Sequence, residues 1–240
     1  MDNPQDRPFH FKHFSLFHHR STMKTGTDAV LLGAWTSTEN TNRILDAGTG
    51  CGIIALMLAQ RSNAVIDALD IDLTSVEEAA FNFSRSQWKH RLTAIHADLQ
   101  EYRHSAVFKY DLIVSNPPFF TSSFKTKHPR RNLARHTDTM NPEMILDVAE
   151  TLLQSNGRLS LVLPSREGRI FIKQAEQAGF KVNRLLHIIP VRGRMPNRMN
   201  IEFGKLSPAD VWTGEFVIRE TNGNFTQEYI TLLKNYYLGL

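Results

Sequence analysis

From residue 43 onward, short apolar runs rich in β-branched residues alternate with longer segments whose apolar residues recur every three and four positions. A chain with that rhythm builds a mostly parallel sheet with helices on both faces, because each strand is carried back across the sheet by a helix before the next can pair. The strands read as Arg43 to Asp46, Ala64 to Asp70, Leu92 to His96, Tyr110 to Ser115 and Arg158 to Leu163. Helices are expected at Gly52 to Gln60, Leu73 to Ser84, Pro142 to Leu153 and Ser165 to Gly179. Asp72 and Asn141 stand as their N-caps, Pro142 in a first turn, and Gly157 just past a helix end. After residue 180 the rhythm changes. Lys181 to Pro190 and Asn200 to Leu206 are strand-like with only the loop Val191 to Met199 between them, which predicts an antiparallel pair at the sheet edge. Phe225 to Leu238 is amphipathic and reads as a last helix. The expected architecture is α/β: a seven-stranded, mostly parallel, doubly wound sheet with an antiparallel edge hairpin. No internal repeat or Pro/Ser-rich linker interrupts it, so residues 1–240 read as one domain.

The remaining composition mainly excludes. With 41% hydrophobic and 22% charged residues the chain is globular rather than disordered. A single cysteine, Cys51, rules out an internal disulfide framework and is too few for a zinc ribbon. His10, His13, His18 and His19 lack the Cys or acid spacing of a metal site, so no metal is expected. The polar start with Asp2 and Asp6 is unlike a secretory signal, and no apolar run spans a bilayer; a cytoplasmic protein with no membrane partner is expected, as a monomer or weak dimer.

The first strand runs into Asp46-Ala47-Gly48-Thr49-Gly50-Cys51-Gly52 and then a helix. Glycines at a strand-to-helix turn admit positive φ and let backbone approach a ligand closely. Dinucleotide enzymes favour G-x-G-x-x-G, which seats a pyrophosphate on the helix N-terminus. Here the spacing is G-x-G-x-G, which suits a cofactor with adenosine but no phosphates. Asp70 ends the second strand 18 residues after Gly52, where a carboxylate can take both ribose hydroxyls, and Asp98 follows the third, within reach of an adenine amino group. Taken alone, an Asp at a strand end is more simply a helix cap; three such signals in order point to a cofactor.

The fourth strand ends directly in Asn116-Pro117-Pro118-Phe119. Proline lacks an N–H, fixes φ and pushes its predecessor out of the helical region, so two in succession hold this backbone rigid. The Asn116 side-chain oxygen and the Pro117 carbonyl are then free to accept from an outside donor. A planar exocyclic amine with two N–H groups suits them, and Phe119 offers a face on which a purine can stack.

Together, the Asp46 to Gly52 loop, Asp70, Asp98 and Asn116-Pro117-Pro118-Phe119 resemble the class I methyltransferases that use S-adenosylmethionine to modify exocyclic or amide nitrogens. Phe11-Lys12-His13-Phe14, Met23 to Trp35, Ser86-Gln87-Trp88 and the tail Tyr229 to Leu238 are similar to the bacterial tRNA(Val) adenine-37 N6-methyltransferase family, over almost the whole chain. The resemblance implies a Rossmann-like fold, S-adenosyl-L-methionine as cofactor with S-adenosyl-L-homocysteine as product, and tRNA as partner. It implies Asn116, Pro117 and Phe119 as catalytic residues, and Asp46, Gly48, Gly50, Gly52, Asp70, Asp98 and Asn116 as cofactor-binding. Residues 1–40 would close over the cofactor, adding Lys24, Thr27 and Asp28; read locally, Thr27 and Asp28 are a cap and a first-turn acid of a helix. Phe119 stands where many relatives have Tyr.

The formal charge of +4 is unevenly spread. Leu112 to Thr137 holds Lys125, Lys127, Arg130, Arg131 and Arg135 with no acid; Gln177 to Ile201 holds Lys181, Arg184, Arg192, Arg194 and Arg198, again with none. Ten of the 28 basic residues lie there, leaving the rest of the chain acidic. Charge runs usually serve as solvated faces, but beside a base pocket they suit RNA phosphates, with Pro118 and the basic residues 125–135 and 192–198 as contacts. Rival readings share the pocket: rRNA guanine N2, DNA adenine N6 or a protein glutamine as acceptor, or an RNA-binding module on an inactive methyltransferase fold. A nicotinamide oxidoreductase is disfavoured by the glycine spacing.

Overall fold

The computed structural model describes residues 7–21, 26–118, 140–206 and 209–239. The elements are β1 (Phe9–His10), β2 (Ser15–Leu16), α1 (Thr27–Trp35), β3 (Arg43–Ala47), α2 (Ile53–Gln60), β4 (Val65–Asp70), α3 (Leu73–Ser84), β5 (Leu92–His96), α4 (Leu99–Ser105), β6 (Tyr110–Ser115), α5 (Pro142–Leu152), β7 (Leu153–Pro164), α6 (Ser165–Gln177), β8 (Lys181–Val191), β9 (Arg198–Gly204), β10 (Trp212–Arg219) and α7 (Gln227–Leu233). The main sheet runs β10-β8-β9-β7-β6-β3-β4-β5, and within it only β9 is antiparallel to its neighbours. The α/β doubly wound sheet is as the alternation predicts, with two differences. Among the described residues the main sheet has eight strands, and the β8–β9 hairpin lies inside it: β9 inserts between β7 and β8, and β10 adds in parallel outside β8. β10 escapes the pattern because Gly214 breaks its run. The Trp212 ring lies over that glycine, 2.7 Å from where a Cβ would stand.

Each face carries its own core. On one, α1, α2, α3 and α7 pack with Ile44, Ile66, Leu112 and Ile188; on the other, α5 and α6 pack with Leu45, Leu69, Leu159 and Phe203. The alternation of side chains along each strand produces this division. α2 is buried along Ile53 to Ala59, which is why it is apolar on every side. Asp72 and Asn141 cap α3 and α5, accepting from Ser75 N at 2.9 Å and Met144 N at 2.8 Å. Gly157 does not end a helix. Strand β7 begins immediately after α5, and Gly157 lies within it, where a Cβ would stand 2.9 Å from the Tyr110 carbonyl oxygen. The last helix is shorter than its amphipathic run, because residues 234–236 turn to bring Tyr237 against Phe11.

Candidate active site

Parallel strands β3, β4, β5 and β6 all end on one edge, and the loops leaving that edge hold the predicted site. Gly48, Gly50 and Gly52 have φ of 76, 55 and 85°, the left-handed region that a side chain resists. At Gly52 the reason is packing: a Cβ there would lie 2.5 Å from the Phe83 ring of α3. At Gly50 nothing among the described residues lies within 4 Å of such a Cβ, so that side of the loop is open with respect to them. The loop is tied to β4 by Gly48 N and Thr49 N, which donate to the Leu69 carbonyl at 2.8 and 2.9 Å. Gly50 N donates to Asp70 Oδ2 at 2.8 Å, and Asp70 Oδ1 accepts from Asp72 N at 3.0 Å. Burial raises the Asp70 pKa, with these bonds opposing the shift.

Asp46 is fully buried beneath the loop. Its Oδ2 accepts from Thr49 Oγ1 at 2.7 Å and Ala55 N at 3.2 Å, while Oδ1 has no hydrogen-bond partner among the described residues. Desolvation, against those two bonds, lifts its pKa from 3.8 to about 7. The folded protein therefore keeps this proton at pH values where the unfolded chain releases it. The resulting stability is full below pH 3.8 and is lost as pH rises to about 7. Asp46→Asn is expected to remove that part of the slope and to be the more stable protein at pH 8 without ligand; melting curves from pH 4 to 8 check this, and parallel curves for the two proteins count against it.

Ser115, which ends β6, donates from Oγ to the Ala47 carbonyl at 2.6 Å, pinning the start of Asn116-Pro117-Pro118 against the start of the glycine loop. Pro117 is buried and Asn116 half-buried, and the Asn116 Oδ1 is a buried acceptor with no partner among the described residues. Met140 bridges the same two loops, with its methyl 2.7 Å from a Cβ position at Gly48 and its sulfur 3.9 Å from Ser115 Oγ.

The structure thus brings together Asp46, Gly48, Gly50, Gly52, Asp70, Asn116 and Pro117. Others it places differently. Asp98 Oδ1 caps α4, accepting from Gln100 N at 2.7 Å and Glu101 N at 3.3 Å. The N-cap of α1 is Gly26, not Thr27, which is the helix's first residue. Asp28 pairs with Arg198, Oδ2 to Nε at 2.8 Å, which ties the start of β9 to α1. Arg192 pairs with Glu220 at 2.6 Å, and Arg184 lies 3.7 Å from Glu202. Three of the five cations in the acid-free stretch 177–201 therefore face carboxylates brought by α1, β9 and the residue after β10; Arg194 has no ion pair among the described residues. Lys24, Phe119, Lys125, Lys127, Arg130, Arg131 and Arg135 lie outside the described residues. Sequence reasoning missed Ser115, Met140, Glu78 and Asn82. Glu78 and Asn82 had a signal, two polar residues one turn apart beside the apolar stripe Val76, Ala79 and Phe83.

These residues fit an adenosine-bearing cofactor: an open glycine backbone, a carboxylate at the end of β4 and an orphaned oxygen below. Residues 13–176 match the family model described as methyltransferase small domain. A tRNA1(Val) (adenine(37)-N6)-methyltransferase of Parabacteroides distasonis is 40% identical over 99% of both chains. The chain belongs to that family. Within it, a Flavobacterium psychrophilum relative of the same name is 40% identical over 96% of this chain and 99% of its own. Among solved structures, a predicted O-methyltransferase of Agrobacterium tumefaciens superposes with a TM-score of 0.67 at 18% identity, covering 87% of this chain and 96% of that one. A putative RNA methyltransferase of Pyrococcus horikoshii gives 0.55 at 16% identity, covering 78% and 86%. At such identities these two likenesses establish the methyltransferase fold alone. Among the described residues no helix is long and apolar enough to cross a membrane.

Proposed function

We propose that the protein is an S-adenosylmethionine-dependent methyltransferase acting in the cytoplasm on N6 of an adenine in tRNA, at position 37 of a valine tRNA. The observation that carries this reading is the Asn116 Oδ1, an acceptor buried without a partner among the described residues at the end of β6, beside the glycine loop. A desolvated amide oxygen is costly until a donor reaches it, and an exocyclic amine is such a donor. The relatives, named as tRNA adenine N6-methyltransferases, support adenine in tRNA over guanine, DNA or a protein amide.

S-adenosylmethionine, when bound, supplies an electrophilic methyl group. Gly48, Gly50, Gly52 and Asp70 would hold its adenosine, with Lys24, Thr27, Asp28 and Asp46 towards the methionine end, residues 1–40 closing that side. Asn116 Oδ1 and the Pro117 carbonyl would accept the two N–H bonds of the adenine amine, which fixes where its lone pair points. Acceptors so placed also stabilise positive charge developing on that nitrogen. Phe119 and Pro118 would pack on the base, whose removal from its stack costs a few kcal/mol and least in a loop.

Incubation with labelled cofactor and total tRNA, followed by nucleoside mass spectrometry, tests the proposal. N6-methyladenosine is expected; N2-methylguanosine, or no product, overturns it. The ion pairs also rank the basic residues. Arg194→Ala should weaken tRNA binding and lower the slope of log affinity against log salt by about 1. Arg192→Ala, which removes a guanidinium already facing Glu220, should change it less. Equal slopes for wild type and Arg194→Ala would return that residue to a solvated face.

A further inference from the structure

The arm formed by residues 17–21 lies along α3, and the same helix backs the glycine loop. Two polar side chains one turn apart on α3 make the connection, Glu78 at 2% and Asn82 at 1% exposure. Asn82 Oδ1 accepts from Phe17 N at 2.9 Å, while its Nδ2 donates to the Phe17 carbonyl and to the Cys51 carbonyl, both at 2.8 Å. One amide therefore holds the arm and the glycine loop at once. Glu78 Oε1 accepts from His19 N and Arg20 N, and Oε2 from Ser21 N, all at 2.9 Å. These bonds go to main chain, so they specify the path of the arm rather than its side chains. A carboxylate buried beneath the arm is satisfied by three N–H groups that converge on it only when residues 19–21 lie on α3.

We infer that Asn82 and Glu78 are positioning residues that couple docking of the N-terminal arm to occupation of the glycine loop by the cofactor. The inference rests on the reading of that loop as the cofactor cradle. Cys51 stands between Gly50, which is open with respect to the described residues, and Gly52, whose closeness to Phe83 locks the loop on α3. A ligand that fixes the loop fixes the Cys51 carbonyl, and Asn82 passes that constraint to Phe17. Glu78 extends it to residues 19–21, and the chain then leads through residues 22–25 into α1. Because coupling between two binding events is reciprocal, a docked arm tightens cofactor binding by the factor by which cofactor tightens the arm.

Hydrogen–deuterium exchange of residues 17–21, with and without S-adenosylhomocysteine, tests this alongside calorimetry. In the wild type the ligand should slow exchange of the Phe17, His19, Arg20 and Ser21 amides about tenfold, within the usual range of coupling between sites. Asn82→Ala should lose that ligand-dependent protection and bind S-adenosylhomocysteine about tenfold more weakly. Asn82→Asp, which keeps the acceptor for Phe17 N and loses the donor to both the Phe17 and Cys51 carbonyls, should behave alike. If the Asn82 variants fail to fold, Glu78→Gln decides, since it touches the arm and leaves the loop bond intact: protection should fall, and KM for the cofactor should rise with kcat changed less. A folded variant that binds within twofold of wild type and keeps ligand-dependent protection overturns the coupling. Wild-type protein that binds S-adenosylhomocysteine normally, with arm exchange indifferent to it, does the same. Wild-type protein that binds none overturns the cofactor reading as well.

Discussion

Replacing Asn116 by Ala is expected to slow methyl transfer about 10²–10³-fold or more, the loss seen when one charge-stabilising group is removed from an active site. Cofactor affinity should stay within a few fold. The asymmetry follows from where the side chain stands. Its Oδ1 has no partner among the described residues, so truncation removes no bond of that oxygen to them. The cradle proposed for adenosine is separate, the Gly50 backbone tied to Asp70 at the end of β4. Steady-state rates on tRNA and calorimetric titration with S-adenosylhomocysteine separate the two effects. An active Asn116→Ala enzyme would remove this residue from the mechanism, whereas an inactive one that no longer bound cofactor would make it a cradle residue.

Asp70→Ala should produce the converse, a loss of cofactor affinity of about 10²–10⁴-fold. Two hydrogen bonds to a charged acceptor, at about 1.5–3 kcal/mol each, set that range, since each 1.4 kcal/mol is tenfold in affinity. Asp70 accepts from Gly50 N through Oδ2 and from Asp72 N through Oδ1, and on the proposed reading its remaining lone pairs take the ribose hydroxyls. The alanine variant therefore loses the ribose acceptor and the tie that fixes Gly50. Asp70→Asn retains the shape but turns an NH2 group towards either Gly50 N or Asp72 N, and should fall between wild type and alanine. Calorimetry checks the order, and unchanged affinity in Asp70→Ala would mean that the end of β4 does not carry the ribose.

How far the sequence could be read depended on whether a feature had a local cause. Asp72 and Asn141 are caps because their own side chains reach N–H groups three residues on, and both were readable. α4 was not, since Leu99 is its only buried residue and leaves no apolar stripe. Its visible sign was Asp98 followed three residues later by Glu101, a helix-start signature. Asp98 consequently holds a cap position that the cofactor motif alone did not disclose. Gly157 followed an amphipathic run and looked like its end, yet the demand for glycine comes from the Tyr110 carbonyl on a neighbouring strand.

The order Asp46 to Gly52, Asp70, Asn116-Pro117-Pro118, and with it the fold class and the placing of a site on one sheet edge, followed from residue order alone. Each motif sits where a parallel strand ends, and the alternation of strands and helices sends all those ends to the same side. Neighbours across the fold could not be read that way. The acid-free stretch 177–201 is a basic run only along the chain; β9 inserts between β7 and β8, and folding sets Asp28, Glu202 and Glu220 against Arg198, Arg184 and Arg192. Likewise nothing local to Asn82, Phe17 or Cys51 announces that one amide joins them. Those contacts depend on which elements pack together, a property of the whole hydrophobic arrangement and of no single segment.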